Sequence, residues 1–262
     1  MKRTKGVSHS RLPPYLDAMR WLFVFLALVL PLPAQADCVV LLHGLARTKA
    51  SFMPLSRVLV RAGYQVVNLG YPSTEAPVED LSDLVAPAVA ACENQRVHFV
   101  THSMGGILLR DWLAHHQPAN PGRIVMLAPP NAGSDLVDKL GWLAPFRWIN
   151  GPAGSELGTG SGALPRQLGP LRAEVGIIAG TRTLNPVYSA LIPGADDGKV
   201  SVGSTRLPGM RDHLTVTATH TFIMNNPLVI AEVLIFLQEG QFDHHLTTGQ
   251  AIGRIAALWR QD

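Results

Sequence analysis

Residues 99–106 read Phe99-Val100-Thr101-His102-Ser103-Met104-Gly105-Gly106, an apolar strand pattern that ends in a serine followed by glycines. A helical pattern begins immediately afterwards, over residues 107–113. A serine on a sharp strand-to-helix turn presents its hydroxyl at the carboxyl end of a sheet, and the crowded turn needs small residues two positions before and after it. Gly105 meets this need, whereas Thr101 stands where glycine is usual. The stretch predicts an α/β fold with Ser103 as a nucleophile, the alternative being an idle serine in a glycine-rich turn.

Short apolar runs alternate with helical patterns on both sides of this stretch, which favours a mostly parallel central sheet flanked by helices. We predict strands at residues 38–42, 65–69, 97–101, 124–128, 175–179 and 214–218. We predict helices near residues 53–62, 78–91, 104–115 and 228–238, followed by a polar tail that contains His244 and His245. No repeat or low-complexity linker divides residues 37–262, so we assign them to one domain.

A second hydrophobic strand pattern, over residues 39–42, runs directly into His43-Gly44-Leu45. Acyl transfer by a serine needs two backbone N–H groups aimed at the oxygen that becomes negatively charged. The residue after the nucleophile, Met104, supplies one, and a loop after an earlier strand supplies the other, where Leu45 lies. His43 precedes the nucleophile in the chain, so we expect it to order this loop by hydrogen bonding rather than to act as a base.

A serine nucleophile needs a base and an acid that orients the base, and in this kind of fold they follow it in the order acid, then histidine. His220 lies in the loop after the last predicted strand and is the candidate base among ten histidines. The loop after the strand at 175–179 contains two candidate acids, Asp196 and Asp197. We favour Asp197, because the Asp-Gly-x-Val pattern at residues 197–200 places it on a tight turn, and Asp196 remains the alternative.

Together, residues 42–45, 102–106, 197–200 and 220–222 resemble the α/β-hydrolase superfamily, most closely its small secreted bacterial serine lipases and esterases. The resemblance runs in order from about residue 38 to residue 240. It implies the α/β-hydrolase fold, a Ser103-His220-Asp197 triad and an oxyanion hole from the N–H groups of Leu45 and Met104. It also implies an acyl-ester or lipid substrate. An acyltransferase with the same triad and a non-catalytic binding or assembly protein on this scaffold remain alternatives.

Residues 132–172 interrupt the alternation with a connection rich in Gly, Pro and Ser. Long connections in compact domains are usually functional or mobile. This one carries four large apolar side chains: Trp142, Leu143, Phe146 and Trp148. We predict a lid-like insertion that contacts substrate or a membrane surface, the alternative being a surface excursion whose aromatic side chains pack on the core.

Residues 1–36 hold five basic side chains and one acidic one, so the formal charge of +3 becomes −1 over residues 37–262. The apolar run at residues 21–32 is too short to span a bilayer, and it ends in Pro33-Ala34-Gln35-Ala36, a small-x-small pattern typical of signal peptidase sites. We predict a signal peptide over residues 1–36 and a periplasmic or secreted protein, with Met19 as an alternative start. An uncleaved anchor or a core helix is the competing interpretation of this run.

Export would let Cys38 and Cys92, the two cysteines of the chain, form a disulfide, because both lie near the starts of strands that we expect to be neighbours. Two unpaired buried thiols are the alternative. No zinc or calcium motif is present, and the glycine-rich residues 158–162 do not join a strand to a helix, so we predict no metal and no other cofactor. The scattered basic residues of 37–262 argue against a nucleic-acid partner. The oligomeric state stays open.

Overall fold

The computed structural model describes residues 36–260, so the predicted signal peptide lies outside the described residues except for Ala36. Six strands form one sheet in the order β2-β1-β3-β4-β5-β6, and every neighbouring pair is parallel. The strands are β1 (Cys38–Leu42), β2 (Gln65–Leu69), β3 (Val97–His102), β4 (Pro121–Leu127), β5 (Val175–Gly180) and β6 (Asp212–Val216). This confirms the predicted parallel sheet, with β6 beginning two residues earlier than expected.

Helices connect the strands and cover both faces of the sheet. In chain order they are α1 (Met53–Arg61), α2 (Val78–Ser82), α3 (Val85–Ala90), α4 (Met104–His115), α5 (Asp135–Leu140), α6 (Ala144–Ser155), α7 (Leu164–Gln167), α8 (Pro186–Ser189), α9 (Val202–Thr205), α10 (Pro227–Glu239) and α11 (Thr248–Leu258). Instead of the single helix predicted over residues 78–91, the chain forms α2 and α3. None of the helices described is long and apolar enough to cross a membrane.

The core consists of two layers, one on each face of the sheet. Because side chains alternate along a strand, Val39 and Leu41 of β1 pack into the layer formed with α1 and α10. Val40 and Leu42 face the opposite layer, which is formed with α2, α3 and α4. The five residues of β1 are fully buried, which explains why this strand is apolar throughout instead of alternating in polarity.

The amino edge of the sheet, where the strands begin, is held by a disulfide and a hydrogen bond between side chains. A disulfide joins Cys38, the first residue of β1, to Cys92, whose Cα lies 5.7 Å away. The alternative of two unpaired thiols is therefore wrong. Nearby, His98 Nε2 lies 3.2 Å from the carboxylate of Asp37, which directly precedes β1.

The predicted polar tail is wrong, because residues 248–258 form helix α11. Thr247 and Gln250 build a capping box at its start, and Ala251 packs with side chains of α10. Ile255 and Leu258 follow Ala251 at the i+4 and i+7 positions and are partly buried against the core, which is the spacing of an amphipathic helix. This spacing and the Thr-x-x-Gln pattern were the available sequence signals.

Residues 132–172 contain helices α5, α6 and α7, and so they are more regular than their Gly and Pro content predicted. Helix α6 is interrupted at Gly151, which has a φ of 66°. A Cβ at this position would lie 1.9 Å from the carbonyl oxygen of Thr74, so only glycine allows the two backbones to pack this closely. A Cβ on Gly154 would similarly lie 2.9 Å from Leu45. The insertion therefore packs against the loops that follow β1 and β2.

Candidate active site

Ser103 lies on the turn between the last residue of β3 and the first residue of α4. Its φ of 53° falls in the left-handed region, which costs free energy for a residue with a side chain. Gly105 makes the turn possible, because a Cβ there would lie 2.4 Å from the carbonyl oxygen of Leu42 in β1. The structure therefore places Ser103 on the strained strand-to-helix turn that the sequence predicted.

Thr101 stands where glycine is usual in such a turn, and the neighbouring residues explain how the larger side chain fits. Thr101 is fully buried, two residues before Ser103. A Cβ on Gly106 would lie 3.2 Å from the Thr101 hydroxyl and 3.1 Å from Pro129, closer than side chains normally pack. The second glycine after Ser103 thus provides the space that the threonine occupies.

The structure brings the three residues predicted as a triad into one chain of hydrogen bonds. Ser103 Oγ lies 2.9 Å from His220 Nε2, and His220 Nδ1 lies 2.8 Å from Asp197 Oδ2. These residues are separated by 117 and 23 positions in the sequence, and all three are buried. In this geometry the imidazole can accept the serine proton while the carboxylate holds its other nitrogen.

The two aspartates of the loop after β5 have different partners. The second carboxylate oxygen of Asp197 accepts the backbone N–H groups of Lys199 and Val200, at 3.0 and 2.9 Å. Asp196 accepts instead the N–H of Gly198, at 2.7 Å, and the hydroxyl of Ser189. Of the two candidates, Asp197 is thus the one that contacts His220, while Asp196 stabilises the turn.

The backbone around His220 is also fixed. Its N–H donates to the carbonyl of Asp197 at 3.0 Å, and its own carbonyl lies 3.0 Å from His102 Nε2, which donates to it. Burial, followed by the proximity of His220, lowers the pKa of His102 well below its usual range, so His102 is neutral. His102 thus reaches across 118 positions to the histidine loop.

Leu45 and Met104 lie at equivalent positions just after the ends of two neighbouring strands, β1 and β3. Leu42 of β1 is paired in register with Thr101 of β3, and each oxyanion-hole candidate follows its strand partner by three residues. Their loops therefore emerge side by side at the carboxyl edge of the sheet, where the strands end. This is also where the chain order reverses across the sheet, since β2 and β3 lie on opposite sides of β1.

The loop of Leu45 is ordered by His43, as predicted. His43 Nδ1 donates to the carbonyl of Gly44 at 2.9 Å, and its Nε2 accepts the N–H of Tyr71 at 3.4 Å. The Tyr71 ring stacks on the imidazole with centroids 4.0 Å apart, and its hydroxyl donates to the His43 carbonyl. Tyr71 comes from the loop after β2, and no sequence motif pointed to it.

Arg47 links the loop of Leu45 to the loop of His220. Its guanidinium donates to the carbonyl of Thr221 at 3.0 Å, across 174 positions of sequence. Thr221 directly follows His220, so this hydrogen bond holds the two loops together. No sequence motif pointed to Arg47, although the residue lies two positions after Leu45.

The large apolar residues of the insertion have different environments. Trp142 and Trp148 are 72% and 87% exposed, so these two do not pack on the core. Leu143 and Phe146 are partly buried. Other exposed apolar side chains lie in the loops that follow β5 and β6, namely Leu184, Val187 and Phe222. The carboxyl side of the sheet therefore carries several exposed apolar groups in the same set of loops as the triad.

No metal site is evident among the residues that the structure describes. Over residues 36–260, no group of three or more His, Cys, Asp or Glu side chains is arranged to hold a metal ion. The groups that the hydrogen-bond chain presents are a hydroxyl, an imidazole and a carboxylate.

Comparison with known proteins links the chain to one family. The model of the alpha/beta hydrolase family matches residues 39–238. No curated protein sequence matches the chain significantly.

Solved structures with this fold include several enzymes that act on esters. The mature lipase BlEst2 of Bacillus licheniformis superposes with a TM-score of 0.63 at 21% identity, covering 81% of this chain and 94% of that one. Lipase B of Aspergillus fumigatus gives 0.61 at 18% identity, covering 84% and 57%. Phospholipase PlaB of Legionella pneumophila gives 0.61 at 17%, covering 86% and 64%. At such identities these similarities establish a shared fold.

Proposed function

This chain belongs to the alpha/beta hydrolase family, and from that premise we propose that it is a serine hydrolase of carboxylic esters with an apolar acyl group. The observation that carries the proposal is the continuous chain of hydrogen bonds from Ser103 through His220 to Asp197. A serine hydroxyl is a weak nucleophile by itself, and this arrangement is the one that activates it.

In the proposed first half-reaction, Ser103 Oγ attacks the acyl carbonyl while His220 Nε2 accepts its proton. The carbonyl oxygen becomes an oxyanion, which the N–H groups of Leu45 and Met104 stabilise. The C–O bond to the alcohol then breaks, and His220 returns the proton to the departing alkoxide. Asp197 keeps the imidazole in the required tautomer and stabilises the imidazolium. The products are a free alcohol and an acyl group bound to Ser103.

Water completes the proposed reaction. His220 removes a proton from a water molecule, whose oxygen attacks the acyl–serine carbonyl, and the same oxyanion hole holds the second intermediate. The bond to Ser103 Oγ breaks, Oγ regains a proton from His220, and the carboxylic acid leaves. If an alcohol replaced water, the same steps would transfer the acyl group, so the acceptor distinguishes hydrolase from acyltransferase.

A lipase or esterase that acts on apolar acyl chains is the substrate class we favour. The exposed Trp142 and Trp148 of the insertion, with Phe222 in the histidine loop, give the carboxyl side of the sheet an apolar character. Solved structures of this fold include enzymes named lipase and phospholipase. We propose that residues 132–172 act as a lid whose exposed aromatic side chains contact lipid.

The test combines active-site labelling with an acyl-chain series. Wild-type protein is expected to react with a fluorophosphonate probe and to hydrolyse p-nitrophenyl esters, while Ser103→Ala loses both properties. Ser56→Ala, in helix α1, is the control serine and should retain both. Failure of the wild type to label would contradict the proposal and favour the non-catalytic binding protein.

The chain-length profile tests the substrate class separately. Increasing kcat/KM from acetate to octanoate esters is the expected result, and a preference for acetate would contradict the proposed lid. Product analysis with a competing alcohol identifies an acyltransferase, if the alkyl ester forms faster than the free acid.

We also propose that the protein is exported after cleavage following Ala36. The disulfide between Cys38 and Cys92 supports an oxidising compartment. Expression with residues 1–36 in a bacterial host should yield a periplasmic or secreted protein whose amino terminus is Asp37 by mass spectrometry. Retention of residues 1–36 would favour the uncleaved anchor.

A further inference from the structure

Two basic side chains lie in the loops that carry the candidate catalytic groups. Arg47 follows Leu45 by two residues, and Lys199 follows Asp197 by two residues. Residues 37–262 have a formal charge of −1, so this pairing of cations does not reflect a generally basic protein. Its cause must be sought in the site itself.

Arg47 has unused hydrogen-bonding capacity. A guanidinium carries five N–H donors, and in the described chain that of Arg47 makes one hydrogen bond, to the carbonyl of Thr221 at 3.0 Å. Within residues 36–260 no carboxylate lies within ion-pair distance of it. The Thr221 contact fixes the guanidinium beside His220 and leaves most of its N–H donors available to a ligand.

Lys199 also forms no ion pair in the part of the chain that the structure describes. Its backbone is held on both sides, with its N–H donated to Asp197 and its carbonyl accepting the hydroxyl of Ser134 at 2.9 Å. The residue as a whole is exposed. The groups around its ammonium still lower its pKa by desolvation, the charge of Arg47 lowers this pKa further, and the charge of Asp197 opposes both effects.

The two cations act on the same small region. The charges of Arg47 and Lys199 both disfavour protonation of His102, which directly precedes Ser103 and packs against His220. The charge of Arg47 also disfavours the charged form of Lys199, so the two cations repel one another, and an anion bound between them would relieve this repulsion. Asp196 and Asp197 of the same loop are held by other hydrogen bonds, and among residues 36–260 neither forms an ion pair with Arg47 or Lys199.

We propose that Arg47 and Lys199 form an anion subsite beside Ser103, which binds a phosphate or carboxylate group of the ester substrate near its scissile bond. This inference rests on the proposed function and adds a charge requirement to it. Guanidinium groups bind both kinds of oxyanion through paired N–H donors, and an ammonium supplies a second point charge. The preferred substrate is then an ester with an apolar acyl chain and an adjacent negative charge.

The kinetic test compares three soluble substrates with the same hexanoyl chains: dihexanoylglycerol, its phosphate ester and its hemisuccinate. Release of hexanoate gives kcat/KM for each, and the anionic-to-neutral ratio is the readout. We expect the wild type to favour at least one anionic ester on the order of tenfold, with the phosphate and hemisuccinate arms showing which anion is preferred. Lys199→Gln and Arg47→Gln should each lower that ratio several-fold, chiefly through KM.

A matched control is Arg172→Gln. Arg172 is exposed and precedes β5 by three residues, so it lies at the amino edge of the sheet, opposite the triad. Its substitution should preserve the anionic-to-neutral ratio. If Arg47→Gln and Lys199→Gln reduced hydrolysis of neutral and anionic esters equally, the two residues would be structural and the subsite would be refuted.

Equilibrium binding separates this inference from the proposed function. Dihexyl ether analogues of the neutral and phosphate substrates cannot be hydrolysed, and their dissociation constants are measured by calorimetry. Tighter binding of the phosphate ether that is lost in Lys199→Gln would support the subsite even if no ester were cleaved. Equal binding of both ethers by a wild type that hydrolyses neutral esters would refute the subsite and leave the proposed function intact.

Discussion

The two edges of the sheet differ in what their polar groups do. At the amino edge, polar and sulfur groups are paired in ways that hold segments together, through the disulfide of Cys38 and the hydrogen bond of His98 to Asp37. At the carboxyl edge, Ser103 has an unfavourable φ, and its hydroxyl bonds to an imidazole that can accept its proton. The strands therefore begin beside contacts that stabilise the fold and end beside groups that can react.

This division predicts that substitutions at the carboxyl edge reduce activity with little loss of stability, and that those at the amino edge do the reverse. Residues such as Ser103 pay a conformational cost that the rest of the fold must offset. Two sets of variants test this division, and a third tests a buried carboxylate in helix α10.

Asp197→Asn is the substitution with the largest expected effect. The asparagine carbonyl would replace the oxygen that accepts the N–H groups of Lys199 and Val200, which turns the amide NH₂ towards His220 Nδ1. His220 would then carry its proton on Nε2 and could no longer accept one from Ser103. We expect kcat to fall by about 10⁴-fold, as loss of the correct tautomer does in serine proteases.

Asp196→Asn is the matched control for this prediction. Its carbonyl can still accept the N–H of Gly198, and it has no contact with His220 to lose. We expect kcat within about tenfold of the wild type, since only the turn is affected. Equal losses for the two variants would show that the acid has not been identified.

Removal of the disulfide should have the next largest effect, on stability alone. The Cys38→Ala, Cys92→Ala protein loses a link between residues 54 positions apart, which lowers the free energy of unfolding by about 4 kcal/mol in the chain-entropy model. Urea titration measures this loss, and kcat of the folded fraction should stay unchanged. A large decrease in kcat would mean that the amino edge also positions the triad.

The smallest effect is expected for Glu232, a fully buried residue of α10. Its carboxylate accepts the N–H of Asp243, and burial raises its pKa to about 7. The folded state therefore keeps a proton that the unfolded state releases at lower pH, so stability falls as the pH rises from about 4.5 to about 7. Glu232→Gln should remove this dependence and stabilise the protein at pH 8 by about 1–3 kcal/mol.

Measurements of the melting temperature at pH 5 and pH 8 check this prediction. The variant should match the wild type at pH 5 and exceed it at pH 8, with hydrolysis at pH 8 unaffected. A variant less stable than the wild type at both values would show that the Glu232 carboxylate is stabilising in its charged form.

Much of the fold was predictable because its signals are local. Most of the strands contain a short apolar run, and the turn at Ser103 needs glycine at a position fixed by close contact with β1. The three residues of the hydrogen-bond chain were predictable from their order and from the ends of the strands that they follow. Each of these inferences uses a short segment and one geometric rule.

What the sequence did not reveal depends on contacts between distant segments. His102 reaches the carbonyl of His220, and Arg47 reaches the carbonyl of Thr221, and no spacing rule connects either pair. The helices of residues 132–172 were missed for a related reason. Their glycines fit against other backbones, as Gly151 does against Thr74, and therefore do not mark an irregular loop.

The position of β6 has a consequence for folding. His220 follows β6, which is an outer strand of the sheet with only one neighbouring strand. Ser103 follows β3, which lies between β1 and β4 near the middle of the sheet. Ser103 and His220 therefore meet only after long-range pairing of the sheet is complete, which is the slow part of folding in such topologies. A nascent or partly folded chain has a serine without a base. Recovery of esterase activity during refolding would then report the last assembly event, later than the recovery of helical circular dichroism.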